Sequence, residues 1–230
     1  MPTPGTVVID SGASPRTMNV TVGTDGYIIV ELTSAFGNSG PPSLGSATVD
    51  GAAMNVKFTD TTTSASRQVR IFETTGLSAG TKTVVVSWTG GGDMRVVATP
   101  YSGVHATVPS GSVDTYDGTG GGTSTSHTLT TVSGDSCHAL LVASPNITTI
   151  AATGGGDVSI LASLNTDPGN GYKTVAIANK SATTTSESIG ISFAEFVGYV
   201  GWAFVINQAS GGGGGGGSRV LNRQLVLGVG

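Results

Sequence analysis

Residues 81–88 read TKTVVVSW, and this stretch decides the fold class. Val84, Val86 and Trp88 fall on one face and Val85 and Ser87 on the other, which is the two-residue period of a strand. The alternation recurs outward in both directions. TMNVTV, YIIVELTS, NVKFT, RQVRIFE and MRVVATPY carry it through the first half; HTLTTV, HALLVAS, VSILASL, KTVAIAN, ESIGISF and GWAFVIN carry it through the second. Turn-forming groups lie between them: Thr24-Asp25-Gly26, Asp50-Gly51, Ser78-Ala79-Gly80, Gly154 to Gly156, and Asp167 to Gly171. No window gives an amphipathic helix, so the chain reads as all-β.

Composition agrees. Charged residues make up 10% of the 230, against roughly 25% in an average domain, while 37 residues are glycine. With 37% apolar residues, many of them β-branched, the chain is not of the low-hydrophobicity, high-charge kind that stays disordered. The net charge of -4 and the ten scattered Lys and Arg leave no basic patch to neutralise phosphates, so nucleic acid is not an expected partner. No stretch reaches the roughly 18 to 20 apolar residues of a spanning helix, and MPTPGTVVIDSG lacks the basic and apolar regions of a signal peptide. The expectation is a chain neither anchored in a membrane nor exported by such a peptide. A single cysteine, Cys137, allows no internal disulfide, which suits assembly in a reducing cytoplasm.

The two halves repeat one another. VGTDGYIIVELTS (22–34) matches VSGDSCHALLVAS (132–144), and RQVRIFETTGLSAGTKTVVVSW (67–88) matches YKTVAIANKSATTTSESIGISF (172–193), a spacing of about 105 to 110 residues. The second match sets Val84, Val86 and Trp88 opposite Ile189, Ile191 and Phe193. Each half then closes with a further strand after a short loop, MRVVATPYSG and VGWAFVIN.

The succession of a GTD turn and apolar strand, a VDG hairpin, VRIFETTGLSAGTKTVVVSW, VVATPYSGV, a Gly/Thr/Ser-rich connector and a final GWAFVIN resembles a family of β-sandwich modules. These occur in bacteriophage virion proteins and in bacterial surface or secreted proteins. The similarity covers roughly residues 14–208. It implies an antiparallel jelly-roll-like β-sandwich over residues 1–208, to which both halves (about 1–108 and 109–208) contribute strands. Two tandem immunoglobulin-like sandwiches are the alternative.

No catalytic constellation stands out. His105, His127 and His138 lack metal-ligand spacing and read as polar loop or strand-surface residues. There is no GxSxG elbow. Cys137 and His138 are neighbours on a strand and point to opposite faces, so Cys137 reads as a half-buried inert thiol. The only glutamates are Glu31, Glu73, Glu187 and Glu195, and most aspartates lie in turns, which leaves no acid pair for glycoside hydrolysis. Asp114 and Asp117 lie in SVDTYDGTGGG, where turn structure explains them better than calcium; Gly120 to Gly122 lack the Lys and helix of a phosphate loop. Trp88 and Trp202 sit on alternating apolar strands and read as core. Phe36, Tyr116 and Tyr199 are the exposed loop aromatics that a sugar-binding role would use. The sequon Asn146-Ile147-Thr148 matters only in a secretory pathway. The expectation is a protein that is not an enzyme and uses no metal or cofactor.

The last segment is different. Residues 209–218 form a flexible linker, mostly glycine, with a root-mean-square span of roughly 17 to 19 Å and a reach near ~35 Å. Beyond it, in residues 219–230, Leu221, Leu225, Leu227 and Val229 share one face, interrupted by Arg223, while Asn222 and Gln224 take the other. Burying four such side chains contributes on the order of 6 to 10 kcal/mol, and ordering the twelve residues costs at least a comparable amount. A sheet edge that adds ladder hydrogen bonds must therefore complete the balance. Arg219 and Arg223 are the only charges after Glu195, so the tail suits an acidic surface. Arg219, Leu221, Arg223, Leu225, Leu227 and Val229 are the expected partner-binding residues.

Together these readings lead to an expected role as a non-enzymatic structural protein of a phage particle. It would be a decoration or accessory protein on head or tail, assembled in the host cytoplasm and tied by its tail to other virion proteins or to copies of itself. The alternative is a carbohydrate-binding or adhesin module of a phage fibre or bacterial surface, facing a cell-surface glycan outside the cell.

Overall fold

The computed structural model describes residues 1–35, 43–64, 67–90, 94–107, 109–144, 149–155, 157–165 and 174–209. These form strands β1 (Thr3–Pro4), β2 (Val8–Gly12), β3 (Arg16–Val22), β4 (Gly26–Ala35), β5 (Ser43–Val49), β6 (Ala52–Ala53), β7 (Asn55–Ser64), β8 (Arg67–Leu77), β9 (Gly80–Thr89) and β10 (Met94–Ser102) in the first half. The second half contributes β11 (Asp114–Ser124), β12 (His127–Thr130), β13 (Ser136–Ser144), β14 (Ile150–Thr153), β15 (Val158–Asn165), β16 (Thr174–Ser181) and β17 (Ser186–Ile206). The protein is all-β, with antiparallel sheets, and among the described residues no helix is long and apolar enough to cross a membrane.

Each half closes its own sandwich. In the first, a large sheet ordered β10-β4-β8-β7, with β1 and β2 on the outer edge of β10, faces a small sheet ordered β3-β9-β5-β6. In the second, a large sheet ordered β11-β17-β13-β16-β15 faces a small one in which β12 and β14 flank the first part of β17. The pairings repeat: β4 with β8 and β10 corresponds to β13 with β16 and β17, and β9 between β3 and β5 corresponds to β17 between β12 and β14. Local chemistry sets the turns. Asp50 and Gly51, at φ 48° and 82°, link the pair Val49↔Ala52 as a two-residue turn of the type that suits the right-handed strand twist.

Three apolar layers result. Ile28, Val30 and Leu32 of β4 pack with Val84, Val86 and Trp88 of β9 inside the first sandwich. Ala139, Leu141 and Ala143 of β13 pack with Ile189, Ile191 and Phe193 of β17 inside the second. The other faces of the two large sheets meet each other: Tyr27, Ile29, Val69, Ile71 and Val97 pack against Leu140, Val142, Ile177, Val200, Trp202 and Phe204. The central strands are thus buried on both faces, which explains continuous apolar runs such as YIIV at 27–30 where a half-exposed strand would alternate. Trp88 and Trp202 are both core residues, at 6% and 0% exposure.

The sequence reading expects one sandwich shared by both halves, whereas each half has its own pair of sheets and its own apolar layer. Two details differ as well. The 105- and 110-residue offsets match strands correctly but are not in phase everywhere. The first offset sets Val84, Val86 and Trp88 opposite Ile189, Ile191 and Phe193, all inside their own sandwiches. The 110-residue offset pairs Val30 with Leu140, yet Val30 faces its own sandwich and Leu140 faces the other half. A shift of one residue inverts every side chain on a strand. Moreover, ESIGISF and GWAFVIN belong to one strand: the 21-residue β17 pairs with β12 and β14 over 186–193, then with β11 and β13 over 198–206. It thereby joins the two sheets of its sandwich without a loop.

Candidate functional site

The expected partner-binding residues Arg219, Leu221, Arg223, Leu225, Leu227 and Val229, and all of the linker except Ala209, lie outside the described residues. So do Phe36, the 146–148 sequon and the turn at 167–171. The residues just before the linker are held by hydrogen bonds. His105 N donates to Asn207 O (2.9 Å), Asn207 N to Pro109 O (2.8 Å), and Ala209 N to Gly103 O (2.8 Å). Gln208 N donates to Asp135 Oδ1 (3.0 Å), and its Nε2 to Ser133 O (3.0 Å). The chain therefore leaves the folded body at one end of the paired large sheets, held by loops from both halves.

Polar side chains concentrate where the halves meet. Glu31 of β4 and His138 of β13, both fully buried, join at 3.0 Å through His138 Nε2. His138 Nδ1 lies 3.0 Å from the Tyr101 hydroxyl, which accepts a hydrogen bond from Asn179 Nδ2 at 3.1 Å. Asn179 also donates to Ser136 Oγ and to Cys137 O. A second group surrounds Glu73, whose Oε2 accepts from the Tyr27 hydroxyl (2.6 Å) and from Ser110 Oγ (2.5 Å). Lys57 Nζ donates to Ser110 Oγ and Gly111 O, both at 2.6 Å, and lies 4.7 Å from the centre of the Phe204 ring. Trp202 Nε1 donates to Asp60 Oδ2 across the same layer at 3.2 Å. Burial in this layer pushes the Tyr27 and Tyr101 hydroxyls well above their ordinary values and lowers the Lys57 ammonium.

These groups correct the reading of the histidines. His127 and His138 are buried, at 1% and 0% exposure, and not surface residues. Nothing in HALLVAS signals this, because the partner Glu31 is 107 positions away. Cys137 is fully rather than half buried, on the face opposite His138, and loss of solvation pushes its thiol up to about 12. The set Ser110, Lys57, Glu73 and Tyr27 contains residue types used in nucleophilic catalysis. Here, however, Lys57 donates to Ser110, and Ser110 in turn donates to Glu73, so the hydroxyl is a link in a clamp between the halves. Glu187 is likewise structural: its carboxylate accepts from Thr183 N and Thr184 N at 2.8 Å and pairs with Lys180 at 2.9 Å. The Lys180 ammonium and these turn amides hold its acid at about 2.

One open feature lies on the second sandwich. A cavity of about 290 Å³ is lined by Gly111, Ser112, Val113 and Asp114 on one side, and by Thr128, Leu129, Thr130 and Val205 on the other. Above it, Asp114 Oδ2 lies 3.1 Å from His127 Nδ1, and burial lowers the affinity of His127 for a proton. Tyr116 and Tyr199 are strand residues, not loop residues, and they stack on each other at 5.8 Å with planes 6° apart. Tyr199 is 2% exposed, braced edge-on by Phe193, with its hydroxyl bonded to Ser124 O, so it offers no sugar platform; Tyr116 keeps 36% exposure. Asp114 is occupied by His127, the side chain of Asp117 lies outside the described residues, and no cluster of three metal-ligating side chains occurs among the described residues. No protein-family model, curated protein or solved structure matches the chain.

Proposed function

We propose that this chain is a non-enzymatic structural protein of a bacteriophage particle, a decoration or accessory protein of head or tail, assembled in the host cytoplasm. Its body is a rigid spacer and its C-terminal stretch ties it to a neighbouring subunit. The observation that carries this reading is the anchored departure point: five hydrogen bonds hold residues 207–209 and the adjoining His105 at one end of the body, immediately before a glycine linker and an alternating cationic strand sequence. A strand order of β2-β10-β4-β8 facing β3-β9-β5-β6 supports the likeness to virion modules of jelly-roll type. The buried polar residues at the junction serve cohesion, as a load-carrying module needs. Deleting residues 211–230 is expected to leave a folded body with an unchanged unfolding midpoint that no longer enters its assembly. Normal incorporation of the truncated protein would overturn the proposal.

A second reading, a glycan-binding or adhesin module on a fibre or cell surface, draws on the partly exposed Tyr116 ring, which stacks on Tyr199 and lies edge-on to His127. Binding of the body to a glycan array, abolished by Tyr116→Ala, would favour it.

A further inference from the structure

The small sheet of the second sandwich ends on β12, which pairs only with β17 among the described strands. The direction of its free backbone groups follows from the register. Thr125 N donates to Ile191 O (2.8 Å) and Thr131 N to Thr185 O (3.1 Å), and the pairs His127↔Ile189 and Leu129↔Glu187 lie between them in the same register. In an antiparallel ladder, alternate residues bond to opposite sides, so the N–H and C=O of Thr128 point away from β17 toward an open edge. That edge borders the cavity between β11 and β12. Its lining offers an apolar strip, Val113, Leu129 and Val205, and a single charged group, the half-exposed Asp114 carboxylate.

From this we infer that the open edge of β12 receives residues 219–229 of a second copy of the chain, added as one more antiparallel strand. The inference rests on the reading of the tail as a tie to a neighbour and names the surface that accepts it. Two features match. The tail's apolar face needs a strip to cover and a ladder to join, and the edge supplies both. The odd residue on that face, Arg223, meets the odd residue in the lining, Asp114, whose carboxylate lies against His127 on its inner side and keeps half of its surface exposed on the outer. Linker length selects a second copy over the same one. Gln208 is bonded to Ser133, three residues past Thr130, so a return onto the chain's own β12 needs a hairpin connection of about two to five residues. Residues 210–218 provide more, nine residues with an extended reach of about 30 Å, enough to cross to a second molecule.

The test uses the full chain in sedimentation. Thr128→Pro removes the outward donor while keeping the ladder to β17, and is expected to weaken self-association about tenfold, as loss of one or two backbone hydrogen bonds implies. Asp114→Arg, on the exposed side, is expected to weaken it similarly, and the added change Arg223→Asp to restore it. A donor-only chain (Thr128→Pro with Asp114→Arg) and an acceptor-only chain (residues 211–230 deleted) should each remain monomeric and pair when mixed. If association requires the tail but ignores Thr128→Pro and Asp114→Arg, the edge is wrong and the tie to a neighbour stands. If deletion of the tail leaves association intact, both fail. A monomeric full chain whose tail amides are protected from exchange, through an edge that Thr128→Pro exposes, would also overturn the inference by placing the tail on its own body.

Discussion

The two sandwiches are wired alike and filled differently. The first packs Met18, Ile28, Val30, Leu32, Met54, Phe72, Trp88 and Met94 between its sheets; the second packs Ala139, Ala143, Ala176, Ala178, Ala203 and Cys137 against Ile189, Ile191, Phe193 and Tyr199. Small side chains bury less apolar area, and each methylene lost is worth ~0.8 kcal/mol. The second sandwich offsets this with close approach and with charge. A side chain at Gly190 would come within 2.3 Å of Thr125 O, and the Lys180–Glu187 pair closes the β16–β17 turn where the first sandwich has Ser78-Ala79. The edge clasps differ too: the Arg16 guanidinium grips Asp10 on the first sandwich and holds its acid below the usual range, whereas on the second Asp114 meets His127, whose proton affinity burial lowers. Strand order is therefore compatible with quite different fillings, provided that both large sheets present apolar outer faces to one another.

The largest test of the comparison removes what the halves share. Trp202→Ala should cost about 3 to 5 kcal/mol, open a cavity in the layer between the halves and remove the indole N–H that Asp60 accepts. If the halves form one cooperative unit, Trp88 fluorescence in the first sandwich will report the loss at the same denaturant midpoint as far-ultraviolet circular dichroism. Two separate transitions would show that each sandwich stands alone.

Next comes Gly190→Ala, expected to destabilise by about 1 to 3 kcal/mol because backbone, not a flexible side-chain tip, blocks the new methyl. The matching position in the first half is Val85, a half-buried residue already bearing a larger side chain. Val85→Ala should cost under ~1 kcal/mol in the same denaturation assay.

Glu187→Gln should lower stability by about 1 to 3 kcal/mol at neutral pH, since hydrogen bonds to a charged group are lost. The acid of Glu187 is lowered from 4.5 to about 2 in the fold, so its contribution is fully present above the unfolded value and fades as pH falls toward about 2. Wild type and variant should therefore converge in acid, and a gap that persists at pH 2 would assign the effect to packing. The smallest expected effect is at Cys137. With its thiol pushed to about 12 and no exposed surface, it should resist alkylation at neutral pH until the protein is unfolded, and rapid labelling of the native state would show that the alanine-rich layer opens.

Much of this plan was legible in the residues. TKTVVVSW and ESIGISF announce strands, and their match places Trp88 and Phe193 in equivalent inner positions, because their outer faces are half open and alternation survives. YIIV, HALLVA and VAIA give no such phase, since strands buried on both sides carry apolar residues at every position. For that reason Val30 and Leu140 align in sequence and face different layers. The polar junction was illegible for a related reason. Glu31, His138, Tyr101 and Asn179 are each unremarkable in their own strand and become a network only when two large sheets are laid face to face. The cavity between β11 and β12 likewise depends on where Val205, 75 or more positions further along the chain than its neighbours in the lining, comes to rest.

What the sequence determined by itself is local: an all-β chain, the positions of its strands and turns, a duplicated order, and a glycine linker leading to an alternating cationic segment. These rest on side-chain periodicity and turn stereochemistry, which act within a few residues. Only the tertiary structure decided which face of each strand looks inward, that each half closes a sandwich of its own, and that buried acids and bases meet between them. Those choices arise from contacts between residues tens to more than a hundred positions apart, and no local period encodes them.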